Sequence, residues 1–593
     1  MKHRLHSLAL LLSSLCSASP IAACEAVYTH INAIQGNQAV SPLLGKQLTT
    51  QGVVTAIVYP DSKAAGIILQ AQPTADTLTQ HAVSDSLYIA DREAAAIYQP
   101  GQVLQVSGTV AELQQLTSLT QISDIKLCGD KVAIQPQAFS LPLGAKLSWE
   151  QFEGALLHIS QPLLVNDSYN LGRYGEITLA DRRLMVATEI MAPGKAAADY
   201  MHAQQRHMLV LDDGLYQQNP EPLQLGELRL SASTTLRIGD TVNGVTGVLL
   251  QDERGYRLVP TVTPVFQHTN PRPDNPPVKP AAALRIASFN VLNYFNGAGQ
   301  TKPFPTKRGA SNQEEFQRQK AKTVAALAAL DADVIGLLEV ENNGYDQQSA
   351  LADLTAALNK VAGKPYRYII TREQPGSDDI KVALLYRPAT VSVQGKAAML
   401  LSSPFDWGSR PPLAQSFRHL ASNELVTVSI NHFKSKGSCP KDAKDANADQ
   451  HDGQACWNAL RTASAKALSK WLHSQPTGVT TDKQIILGDL NAYRMEDPIQ
   501  VLQQQNWQYL QAADGLHYSY VFRGRTGSLD HALASPALAK QLSSMQHWAI
   551  NADEPVIMDY NTEFKKPSQQ QLLFAPSPYR SSDHDPLLAT FVF

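Results

Sequence analysis

Beyond its first two dozen residues the sequence has no apolar run long enough to span a bilayer, which excludes a helical membrane protein and implies no stable membrane association. Excess charge of either sign is also missing. A formal net charge of -3 gives no overall attraction to a polyanion, so any affinity for nucleic acid has to come from a local basic patch or from bound cations. Aromatic residues are sparse, at 7%, and scattered among the candidate strands, a distribution that suits packing better than stacking. Cysteine is scarce, at 5 in 593 residues. What remains is ordinary globular material, 44% apolar and 17% charged, in a chain too long for one core; its length predicts roughly three or four units.

The first residues point to a compartment. Lys2, His3 and Arg4 precede an apolar run at 8–12 and small residues at 17–23, the order of a secretory signal over residues 1–23. An exported protein, released to the periplasm or medium and acting as a monomer, is expected. Cys16 leaves with the signal, and Cys24, Cys128, Cys439 and Cys456 remain, an even set in an oxidising compartment. Pairs 24–128 and 439–456 are predicted. Ile21-Ala22-Ala23-Cys24 also has the form of a bacterial lipoprotein cleavage site, which would lipidate Cys24 and leave Cys128 without a partner. Intact mass before and after reduction separates the two readings.

Over residues 24–139 short alternating strands between turn signals (48–59, 66–70, 86–91, 103–110, 118–127) predict an OB-like β domain. Residues 140–270 predict a second small all-β domain, with strands at 156–165, 176–179, 208–211 and 242–251. Gly45-x-x-Leu48, Gly101-x-x-Leu104 and Gly239-x-x-Val242 share one outline; two OB-like barrels or convergent hairpin chemistry would each explain it. The stretch NPRPDNPPVKP at 270–280 carries five prolines and reads as a stiff linker, placed at 271–281, before a domain at 282–593. There strands and helices alternate: a strand at 284–291, a capping box Ser311-x-x-Glu314 opening a helix that turns Phe316, Val324, Leu327 and Leu330 inward, a strand at 334–338, a helix at 348–361, and strands at 380–386, 425–432, 485–487, 529–534 and 587–593. An α/β sandwich fits.

Several of these strands end in a polar residue. Asn290 follows the apolar run at 285–289, Glu339 closes VIGLLE, and His432 closes VSINH. Asp489 and Asn491 end ILGDLNAY on one side of the chain, Asp530 and His531 lie in SLDHALAS, and Asp583 and His584 precede the last strand. Singly, each has a bland explanation as a turn or a solvated end. Together they offer hard oxygen donors that suit Mg²⁺, Mn²⁺ or Ca²⁺ rather than Zn²⁺, and two histidines suited to charge at phosphate.

The series SFNVLNYF, GLLEVEN, DDIKVALLYRP, NHFKSKG, LGDLNAY, GSLDHALAS and SSDHDPL resembles the endonuclease/exonuclease/phosphatase superfamily, the DNase I-like fold, and most of all secreted bacterial nucleases of the ExeM/NucH type. The resemblance implies a four-layer α/β sandwich and hydrolysis of DNA or RNA with a divalent ion, Mg²⁺ or Mn²⁺, with Ca²⁺ also compatible. It implies that Asn290, Glu339 and Asp583 hold the ion, that Asp489 and Asn491 govern the attacking water, and that His584 paired with Asp530 binds the scissile phosphate. His432 falls on the leaving-group side, with Asp379 as its orienter. The chain departs from some relatives at Leu292, where they carry an acidic residue. Arg410, Lys434 and Lys436 are candidates for phosphate contact, followed by Arg523, Arg525 and Arg580.

Asp442, Asp445, Asp449 and Asp452 lie between Cys439 and Cys456, but their spacing matches no EF-hand. Two other functions compete with a secreted nuclease. A phospholipid or sphingomyelin phosphodiesterase of this fold needs an exposed apolar hairpin, and the sequence shows no convincing one. A DNA-binding matrix protein with a vestigial hydrolase has no need to retain every polar strand end.

Overall fold

The computed structural model of the protein describes residues 24, 27–60, 62–72, 83–299, 303–511 and 518–593. The expected signal at 1–23, with Cys16, lies outside them. The chain forms two compact units. The first joins the described residues up to 137 to 148–157 and 248–256; the second comprises 138–147, 158–247 and 257–593.

In the first unit five strands close a barrel in the order Gln47–Val58, Gly66–Gln70, Ser86–Ile89, Leu116–Gly129, Val103–Leu113. Alternation along the strands drives Val54, Ile67, Leu69, Leu104, Val106 and Leu119 into its core. Ser86–Ile89 runs parallel to Leu116–Gly129, with Tyr88 opposite Ser118, and so closes the ring. A disulfide joins Cys24 to Cys128, with Cα atoms 5.5 Å apart. The first two copies of the sequence echo precede neighbouring strands of this one barrel, where Gln51 faces Gln105. Here the echo is shared strand chemistry within one domain.

Residues 158–247 pack within the second unit. Leu163–Asp167, Ile177–Ala180 and Met208–Leu211 form an antiparallel run, and Leu211 continues it by pairing in parallel with Leu258. This part is an open sheet, and the expectation of an all-β domain is corrected by the helices Ala187–Ile190 and Lys195–Ala203. The alanines at 196–198 favour a helix by propensity, and that local preference prevails over the surrounding strand pattern.

From residue 284 the chain builds two six-stranded sheets, face to face. In the first the order is Arg367–Tyr368, Ile380–Tyr386, Val334–Glu341, Leu284–Tyr294, Leu587–Phe591, Leu542–His547. In the second it is Val391–Met399, Arg410–His419, Leu425–His432, Gln484–Asp489, Asp530–Ala534, Gln508–Tyr509. Ile286, Val334 and Leu384 of the first sheet share a core with Val428, Ile430, Ile485 and Leu487 of the second. Each such buried side chain contributes about 1.5–3 kcal/mol. A Cβ on Gly336 would stand 2.3 Å from Ile430 Cδ1, so glycine is what permits the close approach of the sheets there.

Helices Gln313–Leu330 and Ala350–Asn359 cover the first sheet's outer face through Phe316, Leu327, Leu330 and Leu354. Asn458–His473 and Asp497–Gln504 cover the second through Leu468, Leu472, Ile499 and Leu502. The first of these helices starts one residue later than the expected box. Asn312 is its cap and accepts from Glu315 N at 2.9 Å, while Glu315 Oε2 accepts from Ser311 N at 2.8 Å. The proline-rich stretch is strapped down rather than spanning free space: Arg272 pairs with Glu554 at 2.7 Å, Trp548 Nε1 donates to Asp274 O, and Lys279 pairs with Asp333 at 2.6 Å.

Candidate active site

The two central strands of the first sheet both break register at their C-terminal ends, between Asn290 and Tyr294 and between Leu337 and Val340. Bulges re-aim side chains. Here they leave Leu292, Asn293 and Glu339 in the left-handed region at φ 52°, 49° and 62°, unusual for non-glycine residues. The result is a tight pair in which Asn290 Nδ2 donates to Glu339 Oε1 at 3.1 Å and Asn293 N donates to Glu339 Oε2 at 3.0 Å. Burial and then the charge of Asp583 push the Glu339 carboxyl upward.

Opposite stand the strand ends of the second sheet. Gly488, at φ 127°, brings its strand so close to the next that a Cβ would lie 2.2 Å from Asn431 O. Asp489 follows, and its Oδ1 accepts from Asn491 N at 2.9 Å, fixing the turn that places Asn491 at φ 47°. His432 lies beside Asp489 in the parallel pairing, its Nε2 3.4 Å from Asp489 Oδ2 and 3.4 Å from Arg410 Nη1. Burial, reinforced by Arg410, holds His432 well below the ordinary histidine range and so neutral. Burial pushes Asp489 up to about 7, against the opposing pull of His584.

His584 behaves in the opposite way. Its Nδ1 sits 2.7 Å from Asp530 Oδ2, and although burial opposes the charge, Asp530 and Asp583 raise the imidazole well above its usual value. Ser519 Oγ fixes Asp530 by accepting from its backbone N at 3.1 Å, and the Tyr520 ring lies 4.7 Å from that of His584. Glu339, His432, Asp489, Asn491 and His584 all line one cavity of about 900 Å³.

The candidate phosphate contacts divide. Arg410 lines the cavity and pairs with Asp378 at 3.3 Å, whereas Asp379, the expected orienter, pairs with Lys307 at 2.7 Å; the carboxylate against His432 is Asp489. Lys434 donates to Ser435 O and Gly437 O and lies 5.0 Å from the Trp457 ring centroid. Lys436 is held at 2.5 Å by Glu496. Arg580 is buried and donates to Asn551 O, and Arg525 is committed to Gln204 Oε1 at 2.6 Å; only Arg523 of this later group is exposed. His531 is structural, bound by Ala492 O and Tyr509.

The aspartates between Cys439 and Cys456, whose Cα atoms are 5.4 Å apart, each accept from a backbone N two residues on, so their spacing is that of successive turns. Sequence reasoning missed Asp378, Ser519, Tyr520 and Arg308, which lines the cavity and pairs with Asp378 at 3.3 Å. The Arg-Gly turn in YVFRGR, two residues before SLDHALAS, was the available signal for Ser519 and Tyr520.

The fit to a divalent ion follows from the donor set. Asn290, Glu339 and Asp583 supply oxygen only, and the raised Glu339 carboxyl is a group that a nearby cation relieves. Among the described residues no three His, Cys, Asp or Glu side chains form a ligand cage. Few protein ligands, completed by water and substrate, is the manner of Mg²⁺.

The model of the Endonuclease/Exonuclease/phosphatase family matches residues 287–584, the span that carries all of these groups. The chain belongs to that family. It is accordingly a hydrolase of the phosphodiesterase and nuclease class. A second model, of a domain of unknown function (DUF8508), matches residues 144–270. No curated protein matches the chain. Among solved structures it is similar to the human Nocturnin catalytic domain with bound sulfate, at 15% identity over 53% of this chain and 96% of that one, with a TM-score of 0.33. A mannosyl-6-phosphatase from Bacteroides thetaiotaomicron is similar at 14% identity, covering 52% and 100%, TM-score 0.34. Humanized D. rerio TDP2 is similar at 14% identity, covering 53% and 100%, TM-score 0.33.

One buried carboxyl of this endonuclease/exonuclease/phosphatase chain gives a stability prediction. Glu189 accepts from Ser528 N at 3.0 Å, beside Arg494 and Glu496, and burial raises it to about 7. A raised folded pKa stabilises the protein while the group is protonated, and that contribution is lost as pH rises from the unfolded value through about 7. Glu189→Gln keeps an acceptor for Ser528 and removes the loss, which is on the order of 1–3 kcal/mol. Thermal melts at about pH 5 and pH 8 then differ less for the variant than for the wild type; equal differences contradict it.

Proposed function

We propose that this protein is a secreted, divalent-metal-dependent nuclease that hydrolyses extracellular DNA with little sequence specificity. The observation that carries this reading is the opposition of two differently tuned histidines, neutral His432 and charged His584, across a cavity that also holds Glu339 and Asp489. Asn290, Glu339 and Asp583 would hold the ion, which supplies Lewis-acid polarisation of a phosphate oxygen.

Asp489, near neutral in its affinity for a proton, takes one from the attacking water, and Asn491 orients that water. The His584 imidazolium, fixed through Nδ1 by Asp530, offers Nε2 to the non-bridging oxygen that gains charge. His432, being neutral, contributes a hydrogen bond on the leaving-group side, with Arg410 beside it for the adjoining phosphate. Both disulfides accord with an oxidising compartment, which supports secretion.

The five-stranded barrel supports an OB-like assignment for the first unit, because its strand order and parallel closure are those of a Greek-key barrel. The test of the central reading is metal removal. EDTA is expected to abolish hydrolysis of DNA, with Mg²⁺ or Mn²⁺ restoring it; cleavage that persists in excess EDTA overturns the reading.

A further inference from the structure

The catalytic strand ends form only one wall of the 900 Å³ cavity. Val186, Met201, His202 and Gln205 line it from residues 184–205, within the stretch matched to a domain of unknown function. This segment is bonded to the hairpin formed by Tyr520–Phe522 and Arg525–Gly527. Val186 N donates to Thr526 O at 3.0 Å and Thr526 N donates to Leu184 O at 2.9 Å, so residues 184–186 join the edge of the hairpin through one parallel bridge. Side chains lock the same junction: Arg525 Nε donates to Gln204 Oε1, and Glu189 Oε2 accepts from Ser528 N.

A lone two-stranded hairpin is marginal in water, and this bridge with its flanking side-chain bonds holds the hairpin in place. At that tip Phe522 is 52% exposed and Arg523 lies 5.2 Å from its ring, and both line the cavity on the side of Tyr520 and His584. An exposed ring beside a cation is the chemistry that receives an unpaired base and its phosphate, whereas a duplex keeps its base faces stacked on one another. A volume of about 900 Å³ belongs to clefts that enclose a ligand.

We propose that residues 184–205 and the 520–527 hairpin form a subsite for an unpaired nucleotide beside the scissile phosphate, Phe522 stacking on the base and Arg523 meeting the phosphate. The preferred substrate is then single-stranded nucleic acid. This rests on the nuclease reading for its reaction, though not for its binding preference.

The full-length Asp489→Asn protein, titrated with a labelled single-stranded oligonucleotide and with the same sequence as a blunt duplex, separates the two. The single strand is expected to bind about 10-fold more tightly, Phe522→Ala to erase that margin, and Phe522→Trp to keep it. Arg523→Ala is expected to lower the salt dependence of single-strand binding. Equal affinity for both forms, or a margin that survives Phe522→Ala, overturns the subsite. So does capture by sphingomyelin and phosphatidylcholine vesicles that depends on Phe522 and outcompetes the oligonucleotide. Absence of hydrolysis by the wild type with any divalent ion would instead defeat the nuclease reading and leave this binding result to stand or fall alone.

Discussion

Asp489→Asn is expected to lower turnover by about 10³-fold or more while leaving affinity for metal and for nucleic acid within a few-fold of wild type. The amide retains the acceptor that Asn491 N uses at 2.9 Å, so the turn survives, but it cannot take a proton from water. Burial holds the wild-type carboxyl at about 7, and a base is active only when deprotonated. The rate should therefore fall about tenfold per pH unit below about 7 in the wild type. The variant's residual rate should lack that limb. A variant that binds poorly, or one whose kcat is unchanged, shows that Asp489 has some other role.

The second large effect concerns Glu339. Glu339→Gln preserves a carbonyl that can accept from Asn290 Nδ2 or Asn293 N, yet removes a charge from the proposed ligand set. The Mg²⁺ concentration for half-maximal activity should rise at least about 100-fold, since even outer contacts of a metal are worth 10- to 100-fold. In EDTA the melting temperature at neutral pH should match or exceed wild type, because a buried carboxyl raised by desolvation and by Asp583 costs stability when ionised. Activity titrations against Mg²⁺, paired with melts in EDTA, check both halves. A fall in Tm with unchanged metal dependence makes Glu339 a structural group.

Much of the candidate site was legible because several strands of the sandwich announce their ends. An apolar interior run that stops at Asn290, Glu339, His432 or Asp489 is read from alternation and hydropathy alone; the sheets place the last three around one cavity, with Asn290 bonded to Glu339 behind them. The local geometry was not legible in the same way. Nothing in VIGLLE signals that Glu339 adopts φ 62° at a register break, because a bulge is decided by the partner strand. The Ser311 box gave way to Asn312 by one residue, since several residues there can cap and tertiary packing chooses among them.

Long-range pairings were the least legible. The bond between Thr526 and residues 184–186 joins segments more than three hundred positions apart, and a short irregular stretch carries no periodicity that names its partner. The partners of the candidate lysines were hidden in the same way. Lys436 looks free in NHFKSKG, but the fold supplies Glu496 at 2.5 Å and leaves it committed.

Incubation of circular plasmid DNA with the mature protein and Mg²⁺ tests the central claim most directly. The expected result is nicked circles that proceed to short fragments, with His584→Ala and Asp489→Asn leaving the plasmid closed over the same interval. Plasmid that stays intact with the wild type under every divalent ion tried, or that is cut equally by both variants, contradicts it.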